Sequence, residues 1–192
     1  MEDLIRSFDL GKVGKAPAVF SYEKLDWLNG VYIRGKSVEE LYELLLPFFP
    51  EEGRGAQKAY LMQIIPLIRE RLKILSDAGR LTWFFFDSGF EVKEKERLVP
   101  KKVGRETARA VLTEAAGVLE SLPAFDEASV ENALRGLVEA KGLKTGDAFM
   151  SIRVAVTGTA VSPGLFETIR VLGRERVVAR LRAAADSLLD RR

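Results

Sequence analysis

Apolar residues recur three and four positions apart through most of this chain, while sustained alternation of period two is scarce. A chain with that pattern can bury stripes of helices but not faces of sheets. Ser37-Val-Glu-Glu40 has capping-box spacing, with the serine oxygen and the Glu40 carboxylate each able to satisfy an otherwise free amide. Behind it Val38, Leu41, Leu44, Leu45 and Phe48 keep helical spacing until Phe49-Pro50 stops the run. The spacing predicts a next helical segment from about Gln57 to Ala78, with Leu61, Ile64, Ile65, Ile68, Leu72 and Leu75 on one face and Gly79 as its C′ residue. Pro66 falls inside that segment and is expected to kink it or divide it.

Between Thr82 and Val103 an aromatic cluster runs into a charged, proline-bearing stretch, which reads as a boundary between two helical subdomains, 1–90 and 91–192. Beyond it, helices are expected at about Glu106–Ser121, Glu127–Lys141, Pro163–Leu172 and Arg174–Leu189. The last is amphipathic, with Val177, Val178, Leu181, Ala184, Ala185 and Leu188 on one side. Near the N-terminus, Trp27-Leu28-Asn29-Gly30 reads as structural, Trp27 anchoring a helix and Asn-Gly turning the chain. The fold class is all-α, with no internal repeat and no low-complexity tract.

Composition narrows the chemistry. A length of 192 residues suffices for a proper core in one domain or two small ones. Without cysteine there is no disulfide framework or thiolate metal site, and without either cysteine or histidine no zinc cluster of the usual kind. The longest apolar run, Leu44 to Phe49, contains Pro47 and falls far short of the roughly 18 residues a membrane span needs, so no membrane partner is expected. A cytoplasmic location fits. No Gly-rich phosphate loop follows a strand, and carboxylate pairs such as Glu39-Glu40 have no convergent partner, so neither a catalytic residue, a metal site nor a cofactor site is assigned. The net charge is only +2, but after residue 140 ten basic residues face five acidic ones, leaving about +5 on that tail.

Two places in the sequence could meet a ligand. On the expected Gln57–Ala78 helix, Arg71 falls at the edge of the apolar stripe, while Arg69 and Lys73 point further toward water. A guanidinium held by packing suits bidentate contact with a base or phosphate, but a snorkelling arginine paired with a carboxylate explains the position as well. Ser162-Pro163 has the form of an N-cap followed by N1, and a helix start offers free amides and a positive dipole end. An ordinary helix start is the plainer alternative there.

The stretch IRVAVTGTAVSPGLFETIRVLGRERVVARLR, Ile152 to Arg182, resembles the C-terminal end of glutamyl-tRNA synthetases of bacterial type, and PAVFSYEKLDWLNGVYIR, Pro17 to Arg34, resembles a second part of the same region. Tyr60–Leu75 and Glu131–Leu143 match more loosely, and Thr82–Pro123 matches least. The resemblance implies an anticodon-binding helix cage whose partner is the anticodon loop of tRNA(Glu). It assigns Arg71, the second arginine of Arg69-Glu70-Arg71, to the test of the third anticodon letter, in the manner of enzymes that reject glutamine tRNA. It also assigns Arg153, Ser162, Pro163, Leu165 and Phe166 to contacts with the anticodon bases, where splayed bases need surfaces to pack on. Arg174, Arg176 and Arg180 become candidates for phosphate contacts, with a solvated helix face as the alternative.

The same family carries a His-x-Gly-His signature and a Lys-Met-Ser-Lys-Ser type loop in its catalytic domain, and this sequence has neither. The resemblance therefore implies that ATP and Mg bind in a catalytic domain outside these residues, which would be the partner of this region in the full-length protein. The segment FDLGKV, Phe8 to Val13, follows soon after that catalytic loop in full-length members, so Met1 is expected at a domain boundary. Both a piece of a longer chain and a separately encoded protein fit this. A helical protein-interaction module without RNA binding is the other functional class the sequence allows.

Overall fold

Side-chain oxygens of Ser21, Ser37 and Asp126 accept free amides at three helix starts. The computed structural model describes residues 2–12, 19–101 and 103–189; the first residues of the Pro17–Arg34 match, and Val13, lie outside them. After a short α1 (Glu2–Ser7) comes α2 (Tyr22–Arg34), capped by Ser21. Then α3 (Val38–Leu45) begins with the capping box formed as expected between Ser37 and Glu40. Hydrogen bonds from the Ser37 amide and from Lys36 hold the Glu40 carboxyl below its usual range. A 3₁₀ turn at Leu46–Phe48 and α4 (Glu51–Arg54) lead to α5 (Lys58–Arg69) and α6 (Asp77–Phe86). After a further 3₁₀ turn at Lys95–Leu98 follow α7 (Arg105–Ser121), α8 (Glu127–Ala140), α9 (Thr145–Thr157), α10 (Leu165–Leu172) and α11 (Arg174–Ser187). No strand occurs among the described residues, and the fold is all-α.

Two layers of packing surround one continuous core. In the first, α3 lies on α5, and α4 and α5 lie on α6, burying Leu41, Leu45, Leu61, Ile64 and Phe85. In the second, α7 runs against α11, α8 and α9. The buried faces of α7 and α11 are rich in alanine (Ala115 and Ala116, Ala184 and Ala185), which lets the helices approach closely. The 3₁₀ turn at Lys95–Leu98 belongs to this second layer, its Leu98 buried as it packs on α9 and α11. Contact between α10 and α5 joins the layers.

Five expectations need correction. The helix expected from Gln57 to Ala78 ends at Arg69, three residues beyond Pro66, and a connection at residues 70–76 leads into α6. Asp77 enforces this break, because its carboxylate accepts the Lys73 and Ile74 amides at 3.1 and 3.2 Å. Gly79 is therefore not a C′ residue but an interior position of α6, where an added Cβ would lie 3.1 Å from the Phe48 carbonyl oxygen. Asn29-Gly30 does not turn the chain either: it lies within α2, where Gly30 comes close to the Leu72 carbonyl and Asn29 donates to the Lys73 carbonyl at 3.0 Å. Trp27 does not anchor this helix, being 67% exposed on its outer side. Finally, Thr145–Thr157 was not expected as a helix, yet α9 is the buried centre of the second layer. Ala148, Ser151, Ile152, Val154, Ala155, Val156 and Thr157 are all buried, so the segment has little polar face to reveal its period.

Candidate nucleic-acid interface

Arg153 lies near the end of α9, half-buried, and one of its nitrogens organises the loop that follows. Its Nη1 donates to Ser162 Oγ, to the Ser162 carbonyl and, at 2.7 Å, to the Pro163 carbonyl. Thr157 Oγ1 reaches the Thr159 carbonyl at 3.1 Å, and Thr159 Oγ1 accepts the Val161 amide at 3.2 Å. Gly158 turns the chain with φ 71°, a conformation that favours glycine. The loop is thus held by side chains, while Val161, at 71% exposure, stands well clear of it.

Helix α10 starts at Leu165 with Gly164 as N-cap, two residues later than expected, so Ser162 and Pro163 are not its N-cap and N1. Ser162 has other work: it is 4% exposed, takes the Arg153 guanidinium and donates to the Pro163 carbonyl at 3.2 Å. The Glu167 carboxylate folds back over Gly164, within 2.6 Å of where a Cβ would stand. The positive end of α10 therefore already faces a negative charge of its own chain. Pro163 is buried and Leu165 is only 4% exposed.

Arg71 approaches this loop from the other layer. It lies in the 70–76 connection, exposed, with its amide on the Ile68 carbonyl at 2.8 Å. The sequence argument from a helical stripe does not hold for it, because the helix has ended. Arg69, expected in water, is half-buried instead: it donates to the Arg34 carbonyl and its buried Nε has no partner. Burial pushes the Arg153 pKa down, the positive charge of Arg71 pushes it further, and Glu167 opposes both. Arg71 and Arg153, from separate layers, thus lie near enough for their positive charges to act on each other.

Beside them Phe166 meets Phe149 edge-on at 5.3 Å, and the Arg135 guanidinium lies over both rings at 5.7 and 5.8 Å. Arg135 and Phe149 were not among the sequence candidates. The Glu131–Arg135 pair was legible as an i,i+4 contact, but nothing local ties it to Phe166.

The three candidate phosphate contacts on α11 lie elsewhere and are engaged within the fold. Arg174 donates to the Glu120 and Leu122 carbonyls at the end of α7. Arg176 donates to the Phe85 carbonyl at 3.0 Å and to Tyr60 Oη at 3.2 Å. Arg180 is 8% exposed, with its donors on the Val156 and Phe84 carbonyls. Neither an open phosphate clamp nor a solvated face describes Arg180.

The comparison with known families supplies the class of this two-layered helical domain. The anticodon binding domain model matches residues 40–185, and the chain belongs to that family. The individual proteins it resembles are glutamate–tRNA ligases. That of Dehalococcoides mccartyi is 40% identical over 194 residues, covering 98% of this chain and 40% of the relative. That of Treponema pallidum is 39% identical over 207 residues, covering 94% and 38%. The crystal structure of a glutamate tRNA ligase from Elizabethkingia meningosepticum in complex with its amino acid superposes with a TM-score of 0.83 at 28% identity, over 98% of this chain and 37% of that one. The chain thus spans about 40% of the length of the curated relatives it matches, and corresponds to their C-terminal region. No helix among the described residues is long and apolar enough to cross a membrane.

Proposed function

We propose that this domain reads the anticodon of tRNA(Glu) and so selects the tRNA that a catalytic domain outside these residues charges with glutamate, using ATP and Mg bound there. The observation that carries the reading is the proximity of Arg71 and Arg153 from separate layers, neither with a carboxylate in ion-pair contact among the described residues. Arg71, fully donor-rich and exposed, meets the third anticodon letter. Arg153 uses Nη1 to set the loop, leaving the rest of its fork for a base. Ser162 and Pro163 act by holding Arg153, Leu165 supports them from below, and Phe166 offers the partly open ring for a base to pack against. Phosphate attraction comes from exposed cations around the pair rather than from Arg180.

The adjoining catalytic domain has a ready surface on α2 and the residues just before it, where Phe20, Tyr22, Trp27 and Tyr32 are all exposed. A soluble domain rarely leaves such an apolar stretch uncovered, and the curated relatives are more than twice as long as this chain. The reading is tested by fluorescence anisotropy with tRNA(Glu) and with a copy changed at the third anticodon letter, at low and physiological salt. Salt-sensitive binding that prefers the correct letter is expected. Binding without preference would reduce the domain to a general tRNA clamp, and no binding at low salt would defeat the proposal for the isolated chain.

A further inference from the structure

Arg180 is a buried cation without an ion-pair partner among the described residues. Burial, and then neighbouring Arg176, lower its pKa to about 10, although Asp87 and Tyr60 oppose the shift. Keeping such a charge inside a fold is costly unless its donors are filled. Here they are filled by two helix ends. Nη1 donates at 2.6 Å to the carbonyl of Val156, in the last turn of α9, and Nη2 at 2.7 Å to that of Phe84, in the last turn of α6. Nη2 also reaches the Asp87 carbonyl at 3.4 Å, and the Phe90 ring covers the guanidinium at 3.8 Å. Carbonyls in the last turn of a helix lack intrahelical partners, and both ends carry negative dipole charge, so one planar fork serves two helices at once.

One of those helices carries Arg153, and the other begins directly after the connection that bears Arg71. Arg153 precedes Val156 by three residues on α9. At the opposite end of α6, Asp77 holds the Lys73 and Ile74 amides, and with them the connection that bears Arg71. A continuous path therefore runs from Arg71 through Asp77, α6, Arg180 and α9 to Arg153. We infer that Arg180 is a positioning residue: by capping α6 and α9 together it fixes the spacing between Arg71 and Arg153. Its bearing on tRNA selection rests on the anticodon reading proposed above, but the spacing is measurable without RNA. Lysine is no substitute, because a single ammonium lacks the planar fork that spans both carbonyls.

The chain has no cysteine, so spin labels can be placed on Lys73→Cys and Val161→Cys, both exposed positions flanking the pair. Electron–electron double resonance should give one narrow distance distribution in the labelled parent and a broadened or displaced one in Arg180→Lys, with helix content by circular dichroism unchanged. The preference for the correct third anticodon letter should fall about ten-fold in Arg180→Lys. The salt dependence of binding should stay as in the parent, since the number of phosphates neutralised is the same. A parent-like distance distribution in folded Arg180→Lys overturns the inference, and a broadened one with undiminished preference overturns its role in recognition. Should Arg180→Lys fail to fold, Phe90→Leu keeps Arg180 but removes the ring stacked on it; partial broadening is expected, and none overturns the inference. A parent unable to distinguish the two tRNAs defeats the anticodon reading, and the clamp is then judged by the label distances alone.

Discussion

The arginines of α11 and the arginines of the converging pair have the same chemistry and opposite circumstances. On α11, Arg174 caps the carbonyl end of α7, Arg176 that of α6, and Arg180 those of α6 and α9 together. Among the described residues, the Arg71 guanidinium has no hydrogen bond or ion pair, and Arg153 bonds through Nη1 only. Three of the tail's basic residues are thus turned onto the negative ends of helices. Donor occupancy, not charge count, decides which arginine is available to a ligand.

The sharpest way to break this contrast is to remove one arginine of each kind. Arg180→Ala leaves the Val156 and Phe84 carbonyls buried and unpaired and opens a void, and should cost about 3–4 kcal/mol in urea unfolding. Arg71→Ala, exposed and unbonded, should stay within about 0.5 kcal/mol of the parent in the same assay. Equal losses would erase the distinction.

Recognition should show the reverse ranking of direct effects. Arg71→Gln is expected to lose about 1–3 kcal/mol of preference for the correct third anticodon letter, with overall affinity only modestly weakened. Equal affinity ratios for the two tRNAs in mutant and parent would sink the assignment of Arg71 to that letter.

How much of this was legible beforehand follows from what is local. The Ser37–Glu40 capping box, the starts of α7 and α8 near Gly104 and Asp126, and the amphipathic α11 all depend on residues within a turn or two of one another, and each was readable. Helix α9 was not, because a segment buried on nearly all sides carries no polar stripe. The end of α5 was misjudged because the apolar spacing runs on through Leu72 and Leu75, while the decisive group is the Asp77 carboxylate pulling back two amides. Arg71 was reached by resemblance and by a stripe geometry that the break at Glu70 removes. The capping roles of Arg174, Arg176 and Arg180 join residues 24 to 96 positions apart, which no local pattern records.

Asp77 offers a gentler way to loosen the pair. Burial alone would raise its carboxyl pKa, but the Lys73 amide, Arg80 and the Ile74 amide outweigh it, and the net shift is downward. A carboxyl lowered in the fold contributes stability that is complete above the unfolded value of about 3.9 and is lost as pH falls through the folded one. Amide exchange across residues 70–76 should therefore accelerate, relative to the rest of α5 and α6, only below about pH 4. Glu40 and Asp126, also lowered, titrate in the same window at the starts of α3 and α8, so Asp77→Asn is needed to separate the effects. That variant should abolish the acid step at residues 70–76 and cost about 1 kcal/mol at neutral pH. An acid step that persists in Asp77→Asn would show that another group holds the connection.

The smallest expected effect carries the contrast from charged donors to neutral ones. Thr82, Thr157 and Thr168 are all fully buried on helices. The first two donate back along the helix, Thr82 to Ala78 at 2.7 Å and Thr157 to Arg153 at 2.8 Å, whereas the Thr168 hydroxyl on α10 has no partner. A hydroxyl buried without a partner loses its hydrogen bonds to water and gains none, while a valine of nearly the same shape has nothing to lose. Thr168→Val should consequently be neutral or stabilising by up to about 1 kcal/mol, and Thr82→Val destabilising by about 0.5–1.5 kcal/mol, as read from urea midpoints at constant slope. Because α10 joins the two layers and starts beside Arg153, Thr168→Val should also leave the third-letter preference intact. A clear loss of stability in Thr168→Val would mean that an ordered water fills the hydroxyl's bonding capacity, and occupancy rather than burial would again be the deciding quantity.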